Sequence, residues 1–193
     1  MLLHEHLPGA HLPVGNGAIG HSDGELPDVV INMSLLNRLL GHDAWTTRQL
    51  LMICAGLSDD ILDREHDIGH RTLRQTLAHI ISNMEIWSSM MANEDVGQSK
   101  DDQTIDGLLR RLSLAETRLR TVAQQTETRN AWDQLWTDTL DNPPQQKSFG
   151  AAIAHVVTHS MHHRAQVIYM LRLSGVDPLP EGDVFSWEAA VKQ

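Results

Sequence analysis

The sequence predicts an all-α protein whose long helices close into a four-helix bundle. Three observations point there. Four stretches repeat apolar residues at three- and four-residue spacing, the period of a helix that buries one face. Only eight residues are Phe, Trp or Tyr, so the core must come from Leu, Ile, Val, Met and Ala, which suit helices. No hairpin signal or alternating strand pattern stands out between those stretches.

The elements follow in order. Residues 1–27 hold Gly, Pro and four histidines without sustained periodicity and read as an irregular arm. The triplet His4-Glu5-His6 within it has its histidines two apart instead of the four that a helical zinc motif needs. A single domain is expected over 28–193, since 193 residues suffice for one core. The first helix runs from about Pro27 to Cys54, with Ile31, Leu35, Leu39, Leu50 and Ile53 in its stripe. Gly56 stops it, and Ser58, Asp59 and Asp60 cap a short helix after it.

A second long helix starts near Thr72, where Thr72 and Gln75 have capping spacing. It carries Leu73, Leu77, Ile80, Ile81, Met84 and Trp87 and ends before Asn93. After a polar loop over 94–103, a third helix carries Ile105, Leu108, Leu109, Leu112, Leu119 and Val122. Trp132 and Trp136, four apart, suggest a shorter helix closed by Pro143 and Pro144. The fourth long helix spans about Ser148 to Leu173 and is ended by Gly175 and Pro178. Beyond it, Pro180 and Trp187 lie in a tail expected to cross the bundle as an extended segment.

Charge and composition narrow the function. A net charge of −10 without a basic cluster disfavours binding to phosphate backbones, so no nucleic-acid partner is expected. No apolar run approaches the roughly 18–20 residues that span a bilayer, and no secretory leader is visible, so a cytoplasmic protein without a membrane partner is expected. Cys54 is the single cysteine, in keeping with a reducing compartment.

Histidine is the unusual component: twelve in all, four of them within His155–His163. Side chains four apart share a helix face, so His159 and His163 can converge on one ion. With the direction of Val156 set to zero and about 100° per residue, Ile153, Val167 and Leu171 fall at about 20–60° and mark the core face. His163 then lies near about −20° and His159 near about −60°, while His155 and His162 lie beyond about −100°. An imidazole pair needs a third ligand from another helix. His79, at the edge of the second helix's stripe, and His42, on the first helix's apolar face beside Leu35, Leu39 and Ile53, are equal candidates by geometry.

Several segments resemble the DinB-like family of metalloproteins. They are "LLGHDAWTTRQLL" at Leu39–Leu51, "DIGHRTLRQTLAHIISNMEIW" at Asp67–Trp87, "HVVTHSMHHRAQVIYMLRLSG" at His155–Gly175 and "PEGDVFSWE" at Pro180–Glu188. Their order and spacing carry the resemblance more than any one of them. The resemblance implies an up-down-down-up four-helix bundle, often a homodimer, and metal ligands at His79, His159 and His163. It implies one divalent ion, zinc or nickel first, with iron, cobalt or manganese as alternatives. It also implies a link to transferases and isomerases that use low-molecular-weight thiols. Ala165 stands where many relatives have glycine.

Three protein ligands on a tetrahedral ion leave one open position, the pattern of catalytic zinc. The expected function is therefore a metal-dependent enzyme that activates a low-molecular-weight thiol or water toward a small electrophilic substrate. His162 is the candidate acid–base or outer-shell group and His42 a candidate pocket residue. The alternative is a non-catalytic metal-binding stress-response protein.

Overall fold

A computed structural model describes residues 33–95 and 102–192. The arm expected over 1–27 and the first turns of the helix expected from Pro27 lie outside the described residues. Six helices and one hairpin follow: α1 (Leu35–Cys54), α2 (Asp59–Leu62), α3 (Leu73–Ala92), α4 (Ile105–Thr128), β1 (Leu135–Asp138), β2 (Gln145–Ser148), α5 (Phe149–Leu173) and α6 (Val184–Val191).

The long helices begin where short polar side chains satisfy free backbone N–H groups. Ser34, Thr72, Thr104 and Ser148 each accept from the amide three residues on, at Asn37, Gln75, Gly107 and Ala151. α3 stops at Asn93, which takes the left-handed conformation (φ 55°) common at helix ends.

Helices α1 and α3 each pack against both α4 and α5, so the four long helices share one core. Leu50, Leu51, Leu77, Ile80, Ile81, Leu108, Leu112, Val156, Met170 and Leu171 are fully buried there. Each such aliphatic side chain contributes about 1.5–3 kcal/mol by leaving water. The mostly helical, all-α reading of the sequence holds.

Two ion pairs, one half-buried and one buried, tie helices together. The guanidinium of Arg111 (α4) grips Glu85 (α3) with two bonds of 3.0 and 2.7 Å. Arg164 (α5) pairs with Asp43 (α1), and both are almost wholly excluded from water.

Two expectations are corrected. Trp132 and Trp136 do not share a helix; Trp136 sits in β1, opposite Lys147 of β2, in an antiparallel hairpin. Asp138, almost fully buried, pairs with Lys147 and also accepts from the Leu140 amide, which closes the hairpin end. Backbone bonds from Phe149 N to Gln134 O and from Gly150 N to Trp132 O lash it to the first turn of α5. A helix over these residues would forfeit both anchors.

The tail, expected to be extended throughout, ends in α6. Asp183 caps that helix by accepting from Phe185 N and Ser186 N. α6 buries Trp187 against α1 at Gly41, where a Cβ would overlap the indole ring. Gly41→Ala is therefore expected to lose about 1–3 kcal/mol through overpacking against a rigid ring. A urea titration checks this; an unchanged midpoint would show that α6 moves aside at no cost.

No helix among the described residues is long and apolar enough to cross a membrane.

Candidate metal centre

Three chain segments deliver histidines to one edge of the core. The first is the loop between α2 and α3. Gly69 (φ 54°) and Arg71 (φ 71°) both take left-handed backbone there, and bonds from His66 N to Arg71 O and from Arg71 N to Ile68 O fold it tightly. His70 lies between those two residues and is presented at the start of α3. The second is α3 itself, which carries His79 beside the buried Ala78 and Ile80. The third is α5, which carries His159 and His163 one turn apart.

The rings meet. His79 lies 4.9 Å from His159 and 4.7 Å from His163, centroid to centroid, and His159 lies 4.4 Å from His163. His70 stacks on His79 at 3.7 Å and sits 5.2 Å from His163. The Nε2 atoms of His79 and His159 are 3.1 Å apart. One ring nitrogen from each of His70, His79 and His163 falls within 4.8 Å of the other two, so these three could hold a metal ion. The group contains no carboxylate and no thiolate.

Electrostatics favour a lone-pair cluster. Burial pushes the His79 imidazole down to about 4, and His70 and His163 add to the effect. Burial does the same to His159, also to about 4, with His163 and His79 next in importance. His163 is lowered by burial too, opposed by its bond to Gln166. Near pH 7 these rings are neutral, the form that binds metal.

The residues fit a divalent ion on a further count. Zinc–nitrogen bonds of about 2.0–2.1 Å place two ligands of a tetrahedral ion roughly 3.3 Å apart. The Nε2 separation of His79 and His159, at which the two rings hydrogen-bond to each other, is also close to that.

The other sequence candidates lie around or away from this cluster. His162 is exposed, with its ring 5.0 Å from His163 and its Nε2 accepting from the Gln166 amide at 3.0 Å. His155, one turn before His159, has its ring 5.4 Å from that of His159 and 5.0 Å from that of Trp87. With Trp87, Lys147, Ala151 and Ala152 it lines a cavity of about 450 Å³.

His42 is buried on α1 and hydrogen-bonds through Nε2 to the Gly182 carbonyl at 2.7 Å. It lines a separate cavity of about 540 Å³ with Met161, Arg164, Ala165 and Ile168. Those α5 residues lie about 100–200° around the helix from His163. The structure therefore does not bring His42 to the histidine cluster.

His70 is the member that sequence reasoning missed. It belongs to no periodic pattern, and its position depends on the two left-handed residues beside it.

Comparison with curated proteins finds no match. The family model of the DinB family matches residues 33–188, from the cap of α1 into α6, and so covers the four long helices together with the histidine cluster. The chain belongs to the DinB family.

Proposed function

We propose that the cluster holds one divalent metal ion through His79, His159 and His163. We further propose that the protein is an enzyme activating a low-molecular-weight thiol or a water toward a small electrophilic substrate. The observation that carries this reading is the convergence of neutral imidazoles from α3 and α5, with two Nε2 atoms 3.1 Å apart. Zinc or nickel bound there would supply Lewis acidity at an open position, lowering the pKa of a thiol or water.

The chain's own residues account for the rest. The three ligands are half-buried or buried, and partial exclusion of water strengthens electrostatic interactions around them. Trp87, His155 and Ala152 wall the neighbouring cavity and would pack against the apolar part of a substrate. His162, exposed beside His163, is the outer-shell candidate.

The core speaks for a catalytic ion over a structural one. Its buried Leu, Ile and Met side chains pack without the histidines, so metal removal is expected to leave the helices intact. Binding still raises the melting temperature by mass action, so helix content is the relevant readout. Far-UV circular dichroism after chelation checks this. Loss of the helical signal would favour the alternative, a non-catalytic stress-response protein whose ion ties the helices together.

His70 competes with His159 as third ligand. His159→Ala is expected to lower zinc affinity by more than about 100-fold, above the range of outer-shell changes, and His70→Ala by less than that. Titration against a chelating indicator ranks the two, and the reverse order would move the ligand set to His70, His79 and His163.

Activity is tested by following thiol consumption with an aryl halide electrophile for the zinc-loaded and chelated protein. A faster rate with zinc, lost in His159→Ala, is expected. Equal rates for loaded, chelated and variant protein would set aside the thiol reading.

A further inference from the structure

One side chain touches two histidines of this region at once. Gln166 lies three residues after His163 and four after His162 on α5, so its amide reaches back over the preceding turn to both. Its Oε1 accepts from His163 Nδ1 at 2.8 Å, and its Nε2 donates to His162 Nε2 at 3.0 Å. The loop between α2 and α3 reaches the same amide. Gly69, in left-handed conformation, backs onto Gln166 so closely that a Cβ would overlap Oε1 and the amide carbon.

We infer that Gln166 is a positioning residue that holds His163 in its metal-binding tautomer. An imidazole carries one ring hydrogen, and the nitrogen without it is the ligand. A carbonyl oxygen at Nδ1 keeps the hydrogen there and leaves the Nε2 lone pair for an ion. It also fixes the ring's rotation, as outer-shell acceptors do for metal-bound histidines. Gly69 completes the device. By backing the amide it keeps Oε1 on His163, and it couples the loop that bears His70 to the helix that bears His163. The bond is local to one helix turn, so it forms with the fold and needs no ion.

This inference deepens the metal-site reading and rests on it for its consequence, though the tautomer itself can be read without metal. The test uses the full-length chain, ¹⁵N-labelled and metal-free. Long-range ¹H–¹⁵N correlation of the His163 ring reports which nitrogen bears the hydrogen. The Nδ1–H form is expected in the wild type and in Gln166→Glu, which keeps an acceptor oxygen. It is expected to give way to the Nε2–H form or a mixture in Gln166→Met.

Zinc affinity, by competition with a chelating indicator, is expected to fall about 10–100-fold in Gln166→Met and to stay within about tenfold of wild type in Gln166→Glu. Gly69→Ala, which displaces the amide without removing it, is expected to follow Gln166→Met. Far-UV circular dichroism reports that each variant is folded.

Two results overturn the inference: a wild-type His163 with its hydrogen on Nε2, or Gln166→Met with unchanged tautomer and zinc affinity. A wild-type Nδ1–H form that is lost in Gln166→Met, in a protein that takes up no zinc, supports the tautomer assignment and overturns the metal-site reading instead.

Discussion

His163→Ala is expected to abolish metal retention. The wild-type chain should keep about one zinc after dialysis, the variant close to none, with affinity lower by more than about 100-fold, since even outer-shell partners of metal ligands are worth 10–100-fold. His163 has this weight because every candidate ligand set includes it. Its ring contacts those of His70, His79 and His159, and it is the most buried of the four, at 8% exposure. The fold should survive, because the core that closes the bundle is built from aliphatic side chains, none of them altered by this substitution. A stability loss of no more than about 1–2 kcal/mol is expected, in the ordinary range for a single substitution. Elemental analysis and a urea titration on one preparation give both numbers. Wild-type stoichiometry and affinity in the variant would remove His163 from the site.

The residue next in the chain carries the largest expected effect on stability. Arg164 is 3% exposed and its partner Asp43 is 1% exposed. Besides the carboxylate, the guanidinium donates to Asp43 O at 3.2 Å and to Thr47 Oγ1 at 3.3 Å. Arg164→Leu would leave the carboxylate buried without its counter-charge, and breaking a buried pair in this way costs about 3–5 kcal/mol. That is a large share of the roughly 5–15 kcal/mol typical of a whole domain.

The pH dependence gives a second check. Burial already raises the Asp43 pKa, opposed chiefly by Arg164, so losing the arginine raises it further. A carboxyl with a raised folded-state pKa binds its proton more readily when folded, so the variant gains stability as pH falls. The deficit against wild type should therefore shrink on acidification. Adding Asp43→Asn to Arg164→Leu should recover part of the loss at pH 7 by removing the charge. A deficit below about 1 kcal/mol, independent of pH, would mean that water reaches the pair and that it is not an internal tie between α1 and α5.

Much of the bundle is legible from local chemistry. Thr72 and Ser148 are helix-starting residues by type and spacing, and both cap helices. The apolar stripes of α3, α4 and α5 become buried core because a 3.6-residue period has few alternatives in chains that long. The wheel on α5 separates His159 and His163 from His155 and His162, and the buried His163 and exposed His162 follow that division.

What stays hidden has physical reasons. Four-residue strands are too short for alternation to outweigh an accidental i, i+4 pair such as Trp132 and Trp136. What makes the hairpin is a set of distant partners: Lys147 for Asp138 and the first turn of α5 for Trp132 and Gln134. α6 is too short to be stable alone, so it depends on Trp187 finding Gly41, a tertiary contact. His42 does point inward, as its stripe implies, yet the inside there is occupied by the Gly182 carbonyl of the returning tail. His70 and Gln166 escape because one depends on left-handed loop residues and the other on an amide bridging two rings, neither of which leaves a period.

If imidazoles from α3 and α5 share one ion, anomalous diffraction at the zinc edge, from crystals grown with zinc, will locate it. One strong peak within bonding distance of Nε2 of His79, His159 and His163 is the expected result. A peak elsewhere, or none beside these rings at saturating zinc, would contradict it.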